Sequence, residues 1–189
     1  MQRALMGLFT LLVAAGAALA QPASLPEEKR TTLGLYVTAT EAYDLKRKEG
    51  AKALFIDIRS RAEAAYVGMP TVADALVPLT EPNFDAWDDK RGGFAMQPNK
   101  AFVQEVERRL AEKGLSKANA VIVMCRSGDR SARAINDALA PAGFTRAYTV
   151  VDGFEGDMSG DGRRSVNGWK NAGLPWTYKL DRAKQPLKG

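Results

Sequence analysis

Histidine is absent from this chain. Without an imidazole neither a Cys–His protease nor a Ser–His–Asp hydrolase can be built, because each uses that ring as its general base. The commonest transition-metal ligand goes with it. Cysteine is nearly absent too: Cys125 stands alone, so no disulfide can close within the chain. Aromatic residues do not interleave with the basic clusters at Lys46–Lys48 and from Lys179 to Lys188. Those clusters read as solvated surface, and nucleic acid is not an expected partner. No internal repeat and no low-complexity tract is visible in the sequence.

What is present is ordinary for one globular domain: 189 residues, 46% of them apolar, with a net charge of +5. That length supports one core and leaves little for a second, and the modest positive charge attracts small anions weakly. At the start, Arg3 precedes an apolar run from Leu5 to Leu19, and Ala18 to Ala20 form a small-x-small site before Gln21. The pattern predicts a secretory signal over residues 1–20 cleaved near Ala20, and the run is too short for a stable membrane span. Residues 21–36 then read as a flexible lead, 37–178 as the domain and 179–189 as a basic tail. The expected location is periplasmic or secreted. A thiol left unpaired in such an oxidising compartment is one the protein uses, with oxidation as its hazard.

The surroundings of Cys125 point the same way. Ala120–Met124 is a short apolar run rich in β-branched residues, which predicts a buried strand. Cys125 closes it; Arg126, Ser127, Gly128, Asp129 and Arg130 follow, and a helical pattern begins near Ser131 with Ala132, Ile135 and Leu139 on one face. A strand that turns sharply into a helix gathers backbone N–H groups around one point, and the helix dipole adds positive potential. Two flanking arginines complete a setting that favours a nucleophilic thiolate and draws an anionic substrate. A lone strand-end cysteine is otherwise a small buried hydrophobe.

In order along the chain, Thr40 predicts an N-cap for a helix ending at Gly50, and Ala53–Ile56 a buried strand running into Asp57 and Arg59. Ser60 predicts the cap of a short helix to about Tyr66, stopped by Gly68 and Pro70. Ala75–Leu79 reads as a strand placed at an edge by Pro78. Residues 81–98 show no period and read as a long loop. A helix from Asn99 to Gly114 presents Phe102, Val103, Val106 and Leu110 inward, and a last strand spans 146–151. This alternation implies a three-layer α/β/α fold with a mostly parallel central sheet. Ligands in such sheets sit at strand carboxyl ends, where Arg59 and Cys125 both fall.

Three stretches in this order resemble the rhodanese family of sulfurtransferases: Asp57 to Arg59 with Glu63 and Gly68, the loop from Cys125 to Arg130, and Gly168 to Pro175. The resemblance covers most of the predicted mature chain. It implies that Cys125 carries sulfur as a persulfide, that the loop from Arg126 to Ser131 cradles it with amides, and that Arg126 and Arg130 meet the anionic donor. Arginine directly after the cysteine is similar to the thiosulfate-preferring members; those using mercaptopyruvate tend to have glycine there. Asp57 and Arg59 resemble the pair that braces the active loop; alone they would be a surface ion pair. The sequence departs from the family at Met69-Pro70 and at Ala64, where histidine and an aromatic are usual; at Met124 it departs instead from the Cys-based phosphatases, which commonly have histidine there. It also carries an insert, 157–167, expected to overhang the loop and to set acceptor choice. Asp157, Ser159, Asp161 and Gly162 fall at calcium-loop positions, but Gly168 stands where the bidentate glutamate belongs, so a hydrophilic surface loop is expected instead of a metal site.

The implied activity is that of a thiosulfate sulfurtransferase with no cofactor and no metal. A small anionic sulfur donor loads Cys125, and cyanide or a thiol accepts the sulfur in a ping-pong cycle. Two alternatives stay open. One is an exported sulfur carrier or docking module that passes a persulfide to a protein partner without turnover. The other is phosphatase or arsenate reductase chemistry, for which Arg130 comes one residue early in the loop.

Overall fold

The computed structural model describes residues 25–185. Its elements in chain order are β1 (Tyr36–Val37), α1 (Ala39–Glu49), β2 (Ala53–Asp57), α2 (Arg61–Val67), β3 (Met69–Pro70), β4 (Ala75–Leu76), β5 (Thr80–Asp88), β6 (Gly93–Pro98), α3 (Phe102–Glu112), β7 (Ala120–Met124), α4 (Asp129–Ala134), β8 (Ala147–Val150) and β9 (Trp176–Thr177). A π-helical turn, Ile135–Leu139, extends α4.

Five strands form a wholly parallel sheet in the order β1-β8-β7-β2-β4. All residues of β2 and β7 are buried, as a strand covered on both faces requires. Their side chains alternate between two apolar layers. Leu54, Ile56, Val121, Val123 and Cys125 pack with Phe102, Val106 and Leu110 of α3 and with Ile135 and Leu139 after α4. Phe55, Ile122 and Met124 pack oppositely with Ala39, Ala42, Ala64 and Trp169. Each large side chain so buried contributes about 1.5–3 kcal/mol. This is the three-layer α/β/α arrangement that the alternation of elements implied.

Serine and threonine set the helix starts. Ser60 caps α2 in a reciprocal box with Glu63, as expected. The box on α1 is built by Thr38 with Glu41, not by Thr40, which lies inside the helix. The strand expected over 75–79 pairs at the sheet edge as Ala75–Leu76, and Val77 and Leu79 continue alongside by donating to the carbonyls of Asp57 and Ile58.

Two expectations need correction. Residues 81–98 are no loop: β5 and β6 form an antiparallel hairpin whose register shifts between Asn83 and Trp87. The lead is not flexible where it is described, because Lys29 is buried and pairs with Asp157 at 2.7 Å, and the Thr32 amide donates to Asn136. The tail, as far as Gln185, is held by Arg109, which donates to the carbonyls of Ala183 (3.0 Å) and Gln185 (2.6 Å). The signal over 1–20 and its cleavage point lie outside the described residues. Among the described residues, no helix is long and apolar enough to cross a membrane.

Candidate active site

Parallel pairing brings the carboxyl ends of β2 and β7 side by side, with Asp57 opposite Met124 and the Ile58 amide donating to the Met124 carbonyl at 2.9 Å. Beyond that point the chain leaves β7 at Cys125 and turns into α4 through Gly128, whose φ of 101° is left-handed. Glycine is needed there for a second reason: a Cβ would run into the Val151 carbonyl.

The turn wraps the sulfur. Cys125 is fully buried, and its Sγ accepts from the Gly128 amide at 3.1 Å. Ser131 Oγ lies 3.6 Å from Sγ, donates to the Gly128 carbonyl at 2.8 Å and shares a 2.7 Å hydrogen bond with Thr149. Asp129 Oδ1 is 3.9 Å from the sulfur and takes the Ser127 hydroxyl at 3.2 Å. Of the expected ring of amides around sulfur, the hydrogen bond seen among the described residues is that of Gly128, while the amides of Asp129 and Arg130 favour the charged form of the Asp129 carboxylate. Burial alone would raise the Asp129 pKa, but those amides, the charge of Arg130 and the Ser127 hydroxyl hold it below the usual carboxylate range.

Arg130 is committed elsewhere than expected. Its two terminal nitrogens grip Glu63 at 2.9 and 2.6 Å, the bidentate geometry that makes such pairs strong. Burial opposes charge on both partners, yet the pairing prevails and lowers Glu63 to about 2 while raising Arg130. Arg126, by contrast, is exposed and its guanidinium makes no hydrogen bond or ion pair among the described residues.

Asp57 and Arg59 lie at the same strand ends, but they are no surface pair. Both side chains are fully buried, 2.6 Å apart, and Arg59 also donates to the Gly68 carbonyl at 2.7 Å. The guanidinium lies 4.0 Å from the centre of the Phe154 ring. The Phe154 amide donates to the Cys125 carbonyl at 2.9 Å, and the Glu155 and Gly156 amides to the Arg126 carbonyl. Through Phe154 the pair is thus linked to the loop backbone.

Above the loop lies a cavity of about 420 Å³ whose wall carries Arg91, Arg126, Arg130 and Arg133 with Glu63 and Asp129. Arg91 comes from the hairpin and Arg133 from α4, and neither was among the residues picked out in the sequence. A pair of β-prone aromatic runs around Gly92 and Gly93 was the missed signal for the hairpin. No residue of 157–167 lines this cavity. The insert bonds instead to itself and to the lead: Asp157 to Lys29 and Asn167, Ser159 to Asp161 and Ser165. Among the described residues no cluster of acidic or sulfur ligands could hold a metal ion.

The parallel sheet thus delivers the one cysteine into a strand-to-helix turn beside an arginine-lined cavity. Residues 38–158 match the model of the rhodanese-like domain. An uncharacterized protein of Rickettsia rickettsii is 30% identical over 143 residues, 75% of this chain and 96% of the relative, and one of Rickettsia prowazekii is 28% identical over 142 residues, with the same shares covered. The crystal structure of Rv0390 from M. tuberculosis is similar with a TM-score of 0.58 and 30% identity, covering 76% of this chain and 97% of that one. The chain belongs to the rhodanese-like family.

Proposed function

We propose that the protein is an exported thiosulfate sulfurtransferase working through a Cys125 persulfide. The thiolate attacks the outer sulfur of thiosulfate; the donor's sulfur–sulfur bond breaks, its electron pair leaves with sulfite, and Cys125 keeps the new sulfur. Arg126 supplies the free positive charge nearest in sequence to that sulfur. Asp129, which is exposed, swings aside to admit the donor and frees the amides that then hold the persulfide. Cyanide or a thiol removes the sulfur and resets the cycle. The observation that carries this reading is the Gly128 amide bond to a sulfur lying under an arginine-lined cavity.

A carrier role, with the sulfur passed to an exported protein partner, is favoured by one observation: Phe84, Trp87 and Phe94 are exposed together on the hairpin, ring to ring. Phosphatase or arsenate reductase chemistry is disfavoured because the loop arginine it would use, Arg130, is held by Glu63.

Intact-mass measurement of protein from the native exported pool, before and after thiosulfate, tests the reading. The chain is expected to begin at Gln21 and to gain one sulfur that cyanide removes, over many turnovers for a catalyst and once for a carrier. A folded Cys125→Ser variant that still gains sulfur would overturn the assignment.

A further inference from the structure

Behind the sulfur stands a chain of hydroxyls, from Thr149 on β8 to Ser131 on α4 to Cys125. Thr149 and Ser131 are both fully buried, and their oxygens are 2.7 Å apart. Among the described residues, Ser131 Oγ is the acceptor that the Thr149 hydroxyl reaches. A buried O–H left without an acceptor is costly, so the Thr149 proton points at Ser131. That direction decides the next bond. The Ser131 proton is left with two acceptors, the Gly128 carbonyl at 2.8 Å and Cys125 Sγ at 3.6 Å. The carbonyl also takes the Ala132 amide at 3.1 Å, so it keeps a donor when Ser131 turns away. The Ser131 proton is thus free to follow the charge on sulfur. It goes to the carbonyl while the thiol itself donates to Ser131, and to Sγ once the thiol proton has gone.

We infer that Thr149 is a positioning residue of the sulfur site, holding Ser131 Oγ in place and polarising it so that the Ser131 proton serves the Cys125 thiolate. The inference deepens the sulfur-transfer reading above, because that thiolate is the attacking group there. Donation into a hydroxyl makes it a better donor onward. Valine in place of Thr149 removes that donation and sets a methyl against Ser131 Oγ where an oxygen now sits at hydrogen-bond distance. The charged groups of the turn and of the elements packed against it stay as they are in such a variant. They are Arg126, Asp129 and Arg130 on the turn itself, Glu63 of α2 behind Arg130, the Asp57–Arg59 pair at the end of β2, and Asp152 just after β8.

Thiolate absorbance of the whole protein is titrated, with Cys125→Ser as the blank. Thr149→Val is expected to move the midpoint up by about half a pH unit and Ser131→Ala by about one unit, the size of a hydrogen bond to a charged group. Thr149→Ser returns the native midpoint. Within the Ser131→Ala protein, Thr149→Val adds nothing, because the path to sulfur is already cut. Sulfur loading by thiosulfate follows the same profile: in Thr149→Val it falls about threefold below the midpoint and recovers above it. Where Thr149→Val does not fold, Thr149→Ala is read in the same way. A native midpoint in Thr149→Val, or an equal shift with and without the Ser131 hydroxyl, would overturn the inference and leave sulfur transfer standing. Variants that titrate as expected, in a protein that never gains sulfur, would refute the sulfur-transfer reading and leave the hydroxyl chain in place.

Discussion

Glu63 shows what one side chain does at this site. It caps α2 through the Ser60 amide (2.9 Å) and holds both terminal nitrogens of Arg130. Its pKa is lowered from 4.5 to about 2, because the arginine outweighs the burial that would raise it. A carboxylate with a depressed folded pKa stabilises fully above its unfolded value. That contribution fades as pH falls from 4.5 toward 2. The interval corresponds to about 3 kcal/mol. Denaturant melts of the native chain should weaken across this window. Glu63→Gln should be weaker at neutral pH and lose less as pH falls, its remaining slope coming from carboxylates such as Asp129 and Asp157 that are also held low. Equal pH slopes in the two proteins would remove the pair from the stability of the loop.

At the scale of the element, the turn from β7 into α4 depends on Gly128. Replacement by alanine forces a left-handed backbone on a residue with a Cβ and drives that atom into the Val151 carbonyl. A cost on the order of 3 kcal/mol is expected, together with loss of sulfur loading, measured by thermal melting and intact mass. The turn, β2, β7, α2 and α3 were legible in the sequence because each carries its own signal. Apolar β-branched runs mark the strands, Ser60 with Glu63 marks a helix start, and Phe102, Val106 and Leu110 mark a helical face. The hairpin carried a weaker signal, because the irregular register between Asn83 and Trp87 breaks the two-residue alternation that identifies strands. The cap of α1 was legible on the same ground as that of α2, since Glu41 stands three residues after Thr38 while Tyr43 stands three after Thr40. The site was half legible: Cys125 and its loop stand together in the sequence, whereas Arg91 and Arg133 meet them only through the hairpin and the pitch of α4.

For the molecule as a whole, the ends of the described chain do structural work that composition disguised as solvated charge. Lys29 ties the lead to the insert, and Arg109, which is 8% exposed, pairs with Glu112 at 3.4 Å and donates to two carbonyls of the tail. Truncation after Leu180 removes those acceptors and leaves a mostly buried guanidinium poorly solvated. The expected loss is about 2 kcal/mol, or a fall in melting temperature of about 5 °C, read by calorimetry. An unchanged melting temperature would show that water replaces the tail without cost. The full burial of Cys125 has a practical corollary for anyone counting its sulfhydryl. With the sulfur wholly covered in the folded chain, an Ellman-type aromatic disulfide should react with it far more slowly than with the unfolded chain. The same sample in guanidinium should release colour for its one cysteine. A preparation that looks oxidised by that assay is thus to be judged only after unfolding.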